Sequence, residues 1–482
     1  MSPRVTLRIL GLLLMLFSLT LLPPILISWL FVDGVWEAFA VALAITAATG
    51  ALLYVPNRNA RKELRTRDGF VITVMFWSVL GLFGSLPLML ASDPALSWTD
   101  AVFESFSGLT TTGATVITGI DLLPDSIRYY RQQLQWLGGM GIVVLAVAIL
   151  PTLGIGGMQL YRTEIPGPLK DSKLTPRITE TAKALWYIYA ALTLACFLAY
   201  WAAGMNWFDA LGHSFSTVAI GGFSTYDASI GYFDSVAIEL IAVFFMIVSS
   251  ISFGLHFAVW REKRIRHYLA DPEFRFFVGF LLLLSLISIA TLLITRTHDG
   301  LTALRHGLFE AVSIATTAGF GVADFSAWPG ALPFLLFVAA FVGACSGSAG
   351  GGIKVVRILL ILKQGMREVL RLIHPNAVIS IKVGKARITD NVAQAVWGFF
   401  SVYVMLFLLM LIGLLATGLD QVTAWSAVGA ALNNLGPGLG EVANDYGDIP
   451  ALAKWILVAA MVLGRLEIFT VLVLFTPAFW RR

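Results

Sequence analysis

Apolar runs long enough to cross a lipid bilayer alternate along this chain with shorter apolar runs that are not. A spanning helix needs about 20 apolar residues. Ten stretches qualify, at roughly 8–32, 36–55, 69–91, 131–151, 183–203, 236–260, 275–295, 330–360, 391–416 and 451–476. Between some of them lie shorter segments at roughly 99–112, 207–221, 303–318 and 421–435, which end in Gly, Thr or Asn. Helices that short cannot cross, so the pattern predicts re-entrant half-helices that enter and leave on one side. The first run, Leu10 to Leu30, is too long for the apolar core of a signal peptide and has no small-residue cleavage site before the next run. It is predicted to be a retained helix.

The short segments are related to one another. Phe106 to Gly113 (FSGLTTTG) aligns with Phe215 to Gly222 (FSTVAIGG), Val312 to Gly319 (VSIATTAG) and Gly429 to Gly436 (GAALNNLG). The four terminal glycines are 109, 97 and 117 residues apart. Each segment has a span before it and a span after it, so the unit is span, half-helix, Gly-containing loop, span. Two spans return the chain to its starting side, so all four copies share one orientation. The predicted fold is an all-α membrane protein with four pseudo-symmetric repeats around one central pore, plus two extra N-terminal transmembrane helices. The corresponding division is 1–68 for the N-terminal helices and 69–160, 161–270, 271–388 and 389–482 for the repeats.

Charge orients this arrangement. Only 13% of the 482 residues are charged, 58% are hydrophobic, and the mean hydropathy is +0.82. A soluble chain carries about 25% charge. With both termini cytoplasmic, 27 of the 33 Lys and Arg fall on the cytoplasmic side, in 4–8, 56–68, 160–183, 261–275, 354–387 and 481–482. Shifting the topology by one span destroys this positive-inside pattern. The outer side holds Arg128, Arg131, Arg296, Arg305 and Lys454, with 18 of the 29 carboxylates, among them Asp100, Glu104, Asp209, Asp227, Glu310, Asp324, Glu441 and Asp445. Carboxylates around a pore mouth concentrate cations; the alternative is an ordinary solvated outer face. The net charge of +4 gives no indication of a nucleic-acid partner. Cys196 and Cys345, two scattered thiols in apolar surroundings, indicate neither a disulfide scaffold nor a metal site.

Irregular backbone survives at membrane depth only against protein or water. Four such loops therefore predict a shared polar path. Glycine admits positive φ, which lets carbonyl oxygens turn inward, and rings of carbonyls replace a cation's hydration shell. The half-helices would aim their partly negative C-terminal ends at the same place. The competing explanation is that the glycines only allow close helix packing; four at equivalent offsets argue against it.

Two further features lie below the expected filter. The run Gly343, Ala344, Cys345, Ser346, Gly347, Ser348, Ala349, Gly350, Gly351, Gly352, followed by Lys354, interrupts the span after the third loop. Glycine costs about 1 kcal/mol relative to Ala inside a helix, so the run predicts a broken helix and a flexible intramembrane loop that occludes the pore. Close packing is the alternative. A phosphate-binding loop is not supported, because no strand precedes the run. Arg465 is read as the one cation deep inside a span, and an intramembrane charge points to function. It is expected to face the conduction path just under the filter; pairing with Glu467 is the alternative, weakened by the i, i+2 spacing.

These motifs, TTTGAT around Gly113, IGGFS around Gly222, TAGFG around Gly319 and NLGPG around Gly436, resemble the Trk/Ktr/HKT superfamily of potassium and sodium transporters over essentially the whole chain. The two N-terminal spans resemble its bacterial TrkH type of potassium-uptake subunit rather than the shorter KtrB type. The resemblance implies a potassium-binding filter lined by the backbone of Thr111, Thr112 and Gly113; Ile220, Gly221 and Gly222; Thr317, Ala318 and Gly319; and Asn434, Leu435 and Gly436. In the superfamily, Ser in place of the first filter glycine accompanies sodium selectivity, so Gly113 implies potassium preference. Four unlike quadrants imply loose discrimination, with rubidium and some sodium passing. The resemblance also implies that the glycine-rich loop is a gate and that an Arg belongs at position 465. It implies a homodimer in the bacterial cytoplasmic (inner) membrane, with a cytosolic TrkA-type regulatory ring that binds NAD(H) or adenine nucleotides. The chain itself is expected to bind no cofactor other than K+.

The basic set from Lys354 to Arg387 follows the predicted gate and suits a soluble regulator; contact with lipid headgroups is the alternative. A potassium symporter coupled to Na+ or H+ is the other transport reading. No chain of intramembrane Asp, Glu and His suited to a proton relay is evident, which disfavours proton coupling. An intramembrane enzyme would need catalytic pairs, and His213, Ser214 and His256 have no partner at motif spacing.

Overall fold

In the computed structural model, residues 3–60, 66–141, 178–384 and 386–481 are described. The predicted span 131–151 beyond Gly141, most of the basic segment 160–183 and the boundary at 160/161 lie outside them.

The N-terminal pair consists of Pro3–Leu19 continued by Leu22–Phe31, and of Trp36–Tyr54. The two helices cross where Gly11 faces Gly50. A Cβ on Gly11 would stand 2.6 Å from the Gly50 carbonyl oxygen, and one on Gly50 would stand 2.8 Å from that of Gly11. Small residues here let the backbones touch, which is how helices associate where lipid is as apolar as leucine.

The same order of elements then occurs four times. Leading spans are Thr66–Gly84, Ile178–Ala202, Pro272–Ile294 and Asp390–Ala416. Short pore helices follow at Trp98–Leu109, Trp207–Ala219, Gly300–Ala315 and Gln421–Asn433. Trailing helices run over Asp125–Gly139, Val236–Ser250, Leu332–Val342 and Ala451–Arg465. Each trailing helix packs on the pore helix of the next repeat, and the fourth packs on the first pore helix, which closes the ring. Leading spans turn leucines outward: Leu282, Leu283 and Leu286 are each more than half exposed. Six described helices are long and apolar enough to span a bilayer, or eight when each of two bent pairs counts as one span. The protein is an integral membrane protein.

The trailing spans differ from the continuous helices that hydropathy predicts at 236–260 and 451–476. Val236–Ser250 turns through 90° into Phe253–Glu262, and Ala451–Arg465 turns through 111° into Ile468–Phe475. The third trailing span is interrupted by residues 343–354, as its glycines predict, and resumes as Val355–Ile373. Small and polar residues mark the first two breaks, Ser249, Ser250, Ser252 and Gly254 at one and Gly464, Arg465 and Glu467 at the other. The break after Ser250 persists because the intramembrane loop supplies partners: the N–H groups of Cys345 and Ala349 donate to the Ser250 and Ser249 carbonyls at 3.0 and 3.4 Å, and Phe253 N–H donates to the Gly347 carbonyl at 3.0 Å. The only strands among the described residues form a two-residue hairpin pair, Lys382–Val383 with Ala386–Arg387, outside the membrane part.

The crossing of the N-terminal pair is remote from the ring. Gly11→Val is expected to destabilise the protein by about 1–3 kcal/mol, the usual cost of overpacking. Thermal unfolding in detergent checks this, and cation selectivity measured on the same sample should not change.

Candidate functional site

The pore helices start and stop in the same way. Ser97, Asn206 and Asp420 are N-caps whose side chains accept main-chain N–H groups, and Asp299 holds the equivalent position. Hydrogen bonds from the Thr423 side chain and backbone hold the Asp420 carboxyl below its usual range. At the far end the N–H groups of Thr112, Gly221, Ala318 and Leu435 donate to Ser107, Ser216, Ser313 and Ala430 carbonyls at 2.8–2.9 Å. Those of Thr111, Ile220, Thr317 and Asn434 donate to Gly108, Thr217, Ile314 and Ala431 carbonyls at 3.0–3.3 Å. This six-to-one and five-to-two pair is the Schellman motif, whose C′ residue is left-handed. Accordingly Thr111, Ile220, Thr317 and Asn434 have φ of 56°, 55°, 66° and 52°. Three of the four are β-branched and carry about 1–2 kcal/mol of strain each, which persists only where surroundings over-determine it. Two residues on, Gly113, Gly222, Gly319 and Gly436 have φ of 83°, 80°, 77° and 96°.

The four loops meet. A Cβ on Gly113 would stand 2.0 Å from the Gly221 carbonyl oxygen, on Gly222 2.2 Å from Ala318 O, on Gly319 2.2 Å from Leu435 O, and on Gly436 2.7 Å from Thr112 O. Each contact joins one repeat to the next, and the fourth returns to the first. All twelve residues from the four segments therefore sit in one closed ring of backbone, with the C-terminal ends of four pore helices directed into it.

The loops are held from behind by buried polar side chains. Glu104, fully buried, accepts from Val116 N–H at 2.9 Å and pairs with Arg131 Nε at 2.7 Å. Arg131 donates on to Thr115 Oγ1 and the Ser224 carbonyl, and its guanidinium lies 4.2 Å from the Phe223 ring centroid. His213 bonds Ser224 Oγ at 2.9 Å, and Asp209 accepts from Thr225 and Tyr226 hydroxyls. Glu310 accepts from Val322 and Ala323 N–H groups, and Ser426 Oγ accepts from Leu439 N–H. This corrects the expected acidic mouth at three positions. Glu104, Asp209 and Glu310 are at most 1% exposed and brace loops, whereas Asp227, Asp324 and Glu441 face outward. Arg131, expected on the outer face, is buried for the same reason.

Beneath the ring, the segment from Gly343 to Lys354 crosses the axis. Gly343, Gly347, Gly352 and Lys354 have positive φ, which ends the helix. Gly351 N–H donates to Thr317 Oγ1 at 2.7 Å and Gly352 N–H to the Asn433 carbonyl at 3.0 Å, so the loop hangs from the third and fourth segments of the ring. A Cβ on Gly350 would stand 2.9 Å from Thr316 O and 3.5 Å from Ile220 Cδ1. The Glu273 carboxylate accepts from Ser346 and Val356 N–H groups, tying both sides of the loop, and the Lys354 ammonium donates to the Gly350 carbonyl. Ser348 turns inward on the Cys345 carbonyl. A cavity of about 470 Å3 lies against the loop, bordered by Glu273, Lys354, Arg357, Asn434, Arg465 and Glu467.

Arg465 lines this cavity at the end of its helix. Its guanidinium donates to the Ala349 carbonyl at 2.9 Å and the Gly138 carbonyl at 2.7 Å, stitching the loop to the first and fourth trailing helices. Glu467 pairs with Arg357 at 2.6 Å. Arg465 is not the one deep cation: Arg357, placed by charge counting in the cytoplasm, is buried with its guanidinium 4.1 Å from the Phe399 centroid. Sequence reasoning also missed Gln135 and Glu273. The polar run from Arg131 to Gln135 inside a predicted span is the signal that could have found the first. His213, Ser214 and His256 engage main-chain carbonyls or single hydroxyls, an arrangement of structural bonds.

The TrkH family of cation transport proteins matches residues 36–482. The chain is 76% identical, over the full length of both, to "Trk system potassium uptake protein TrkH" of Halomonas elongata. It is 54% identical over 98% of both chains to the Escherichia coli protein of that name. The crystal structure of the potassium transporter TrkH from Vibrio parahaemolyticus superposes with a TM-score of 0.91, at 54% identity and full coverage of both chains.

The Glu104–Arg131 pair yields a direct expectation. Arg131→Met or Glu104→Gln alone strands a buried charge and costs about 3–5 kcal/mol, whereas the double variant loses less than either single change. A double-mutant cycle by thermal unfolding checks it.

Proposed function

The chain belongs to the TrkH family of cation transport proteins, and on that footing we propose that it is a gated, potassium-selective subunit that admits K+ to the cell. K+, the cargo, would shed water against carbonyl oxygens of Thr111 to Gly113, Ile220 to Gly222, Thr317 to Gly319 and Asn434 to Gly436. The observation that carries this reading is the closed ring of four glycine-to-carbonyl contacts at the ends of four pore helices. Carbonyl rings favour cations by dipole and by number, and the helix C-termini add partial negative charge.

The loop from Gly343 to Lys354 is the proposed gate. It crosses directly beneath the ring, and its two hydrogen bonds to Thr317 and Asn433 would break for the path to open. Arg465 holds the closed loop through the Ala349 carbonyl and puts a positive charge where a leaving cation must pass. The relatives' names place them in a "Trk system", which supports a further component. We assign that role to a cytosolic TrkA-type ring carrying NAD(H) or adenine nucleotides, acting on the basic helix Val355–Ile373 that follows the gate. A homodimer in the bacterial inner membrane, with both termini cytoplasmic, completes the reading.

Radioactive rubidium flux into vesicles of purified protein tests it, with sodium as competitor. Rubidium should enter down its gradient and sodium should compete poorly. Gly113→Ser, whose Cβ meets the Gly221 oxygen, should lower rubidium preference about tenfold, the effect of ~1.4 kcal/mol of differential binding. Arg465→Ala should raise flux. A reversal potential that tracks potassium alone supports a channel-like path; one that shifts with sodium or pH would establish the symporter instead. Equal flux of all cations would end the filter reading.

A further inference from the structure

The four filter segments share one backbone conformation but not one set of supports. The trailing helix Asp125–Gly139 carries polar residues on its inner face, and these address the second segment rather than lipid. Gln135, fully buried, has both ends of its amide engaged there. Its Nε2 donates to the Gly221 carbonyl at 2.6 Å, and its Oε1 accepts from the Phe223 N–H at 3.0 Å. These two groups flank Gly222, so one side chain fixes the peptides on both sides of that glycine. Among the described residues no side chain donates to the equivalent oxygens of Thr112, Ala318 or Leu435. The nearest parallel lies one peptide later in the fourth segment, where the Tyr446 hydroxyl donates to the Gly436 carbonyl at 2.8 Å.

We propose that Gln135 is a specificity-determining positioning residue: by clamping Gly221 and Phe223 it sets the orientation and availability of the second segment's carbonyl oxygen and so the ring's discrimination between larger and smaller monovalent cations. This inference rests on the filter reading above. A carbonyl already holding a hydrogen bond has less electron density to give an ion, and one free to swing can follow a smaller ion inward. Selectivity by carbonyl rings depends on both the number and the freedom of the dipoles. The Gly221 oxygen is thus held at a fixed reach. Because it is also the atom against Gly113, the clamp is felt by the first segment as well.

The test compares Gln135→Met with Gln133→Met in vesicles of the full-length protein. Gln133 is on the same helix and also buried; its Nε2 donates at 2.6 Å to a main-chain carbonyl, that of Thr20, away from the ring. Rubidium and sodium fluxes are measured for each, with the half-saturating rubidium concentration. In parallel, the difference between the stabilisation conferred by rubidium and by sodium is read from thermal unfolding in detergent. Gln135→Met should lower the rubidium-to-sodium ratio roughly three- to tenfold, the range one net hydrogen bond commands, and shrink the ion-specific stabilisation. Gln133→Met should lower general stability and leave the ratio at the wild-type value. A wild-type ratio in Gln135→Met, or an equal loss in Gln133→Met, overturns the proposal. Were Gln135→Met not recovered folded, Gln135→Asn, one methylene short of spanning both groups, is read by the same two outcomes. A wild-type protein without cation preference would defeat the filter reading itself, which separates that failure from this one.

Discussion

Peptide groups that leave a helix at membrane depth must find partners, because hydrocarbon offers none. In this protein three sets of such groups lie close together: the filter segments, the breaks in the trailing spans, and the intramembrane loop. They satisfy one another. The loop donates to the broken ends at Ser249 and Ser250 and to the third and fourth filter segments at Thr317 and Asn433. The ring, the broken helix ends and the loop are therefore parts of one hydrogen-bonded body. Displacing the loop would leave donors and acceptors unmet at both places, which holds the loop in this position.

Pseudo-symmetry here is a property of the backbone. Four Schellman ends, four left-handed residues and four glycines repeat closely, while the side chains behind them diverge. An ion pair serves the first segment, histidine and glutamine the second, an unpaired carboxylate the third, and a serine and a tyrosine the fourth. The strain at Thr111, Ile220 and Thr317 shows why support is needed. Left alone, a β-branched residue relaxes from positive φ, and the ring would lose its shape.

Much of this was legible in the sequence. Half-helix length, terminal glycines and their spacing located all four segments that meet in the ring, because those features follow from local backbone geometry. The glycine run from Gly343 to Gly352 likewise announced its break. The turns at Ile251 and Leu466 were harder to read: Ser249, Ser250 and Ser252 flank the first and Arg465 and Glu467 the second, but the partners that hold the first lie about 100 residues away in the loop. Arg131, Glu104 and Arg357 were counted as aqueous charges. Their burial depends on partners distant in sequence, which charge bookkeeping along a chain cannot register.

The two bonds from Ser346 and Val356 end on the same oxygen of Glu273. The residues between them form a noose tied at this oxygen to the start of the third leading span. On the gate reading, a pull on the helix that begins at Val355 would bear on this contact together with the bonds to Thr317 and Asn433. If the loop is the gate proposed above, slipping this contact would release both strands of the noose together, and the transition would be abrupt rather than graded.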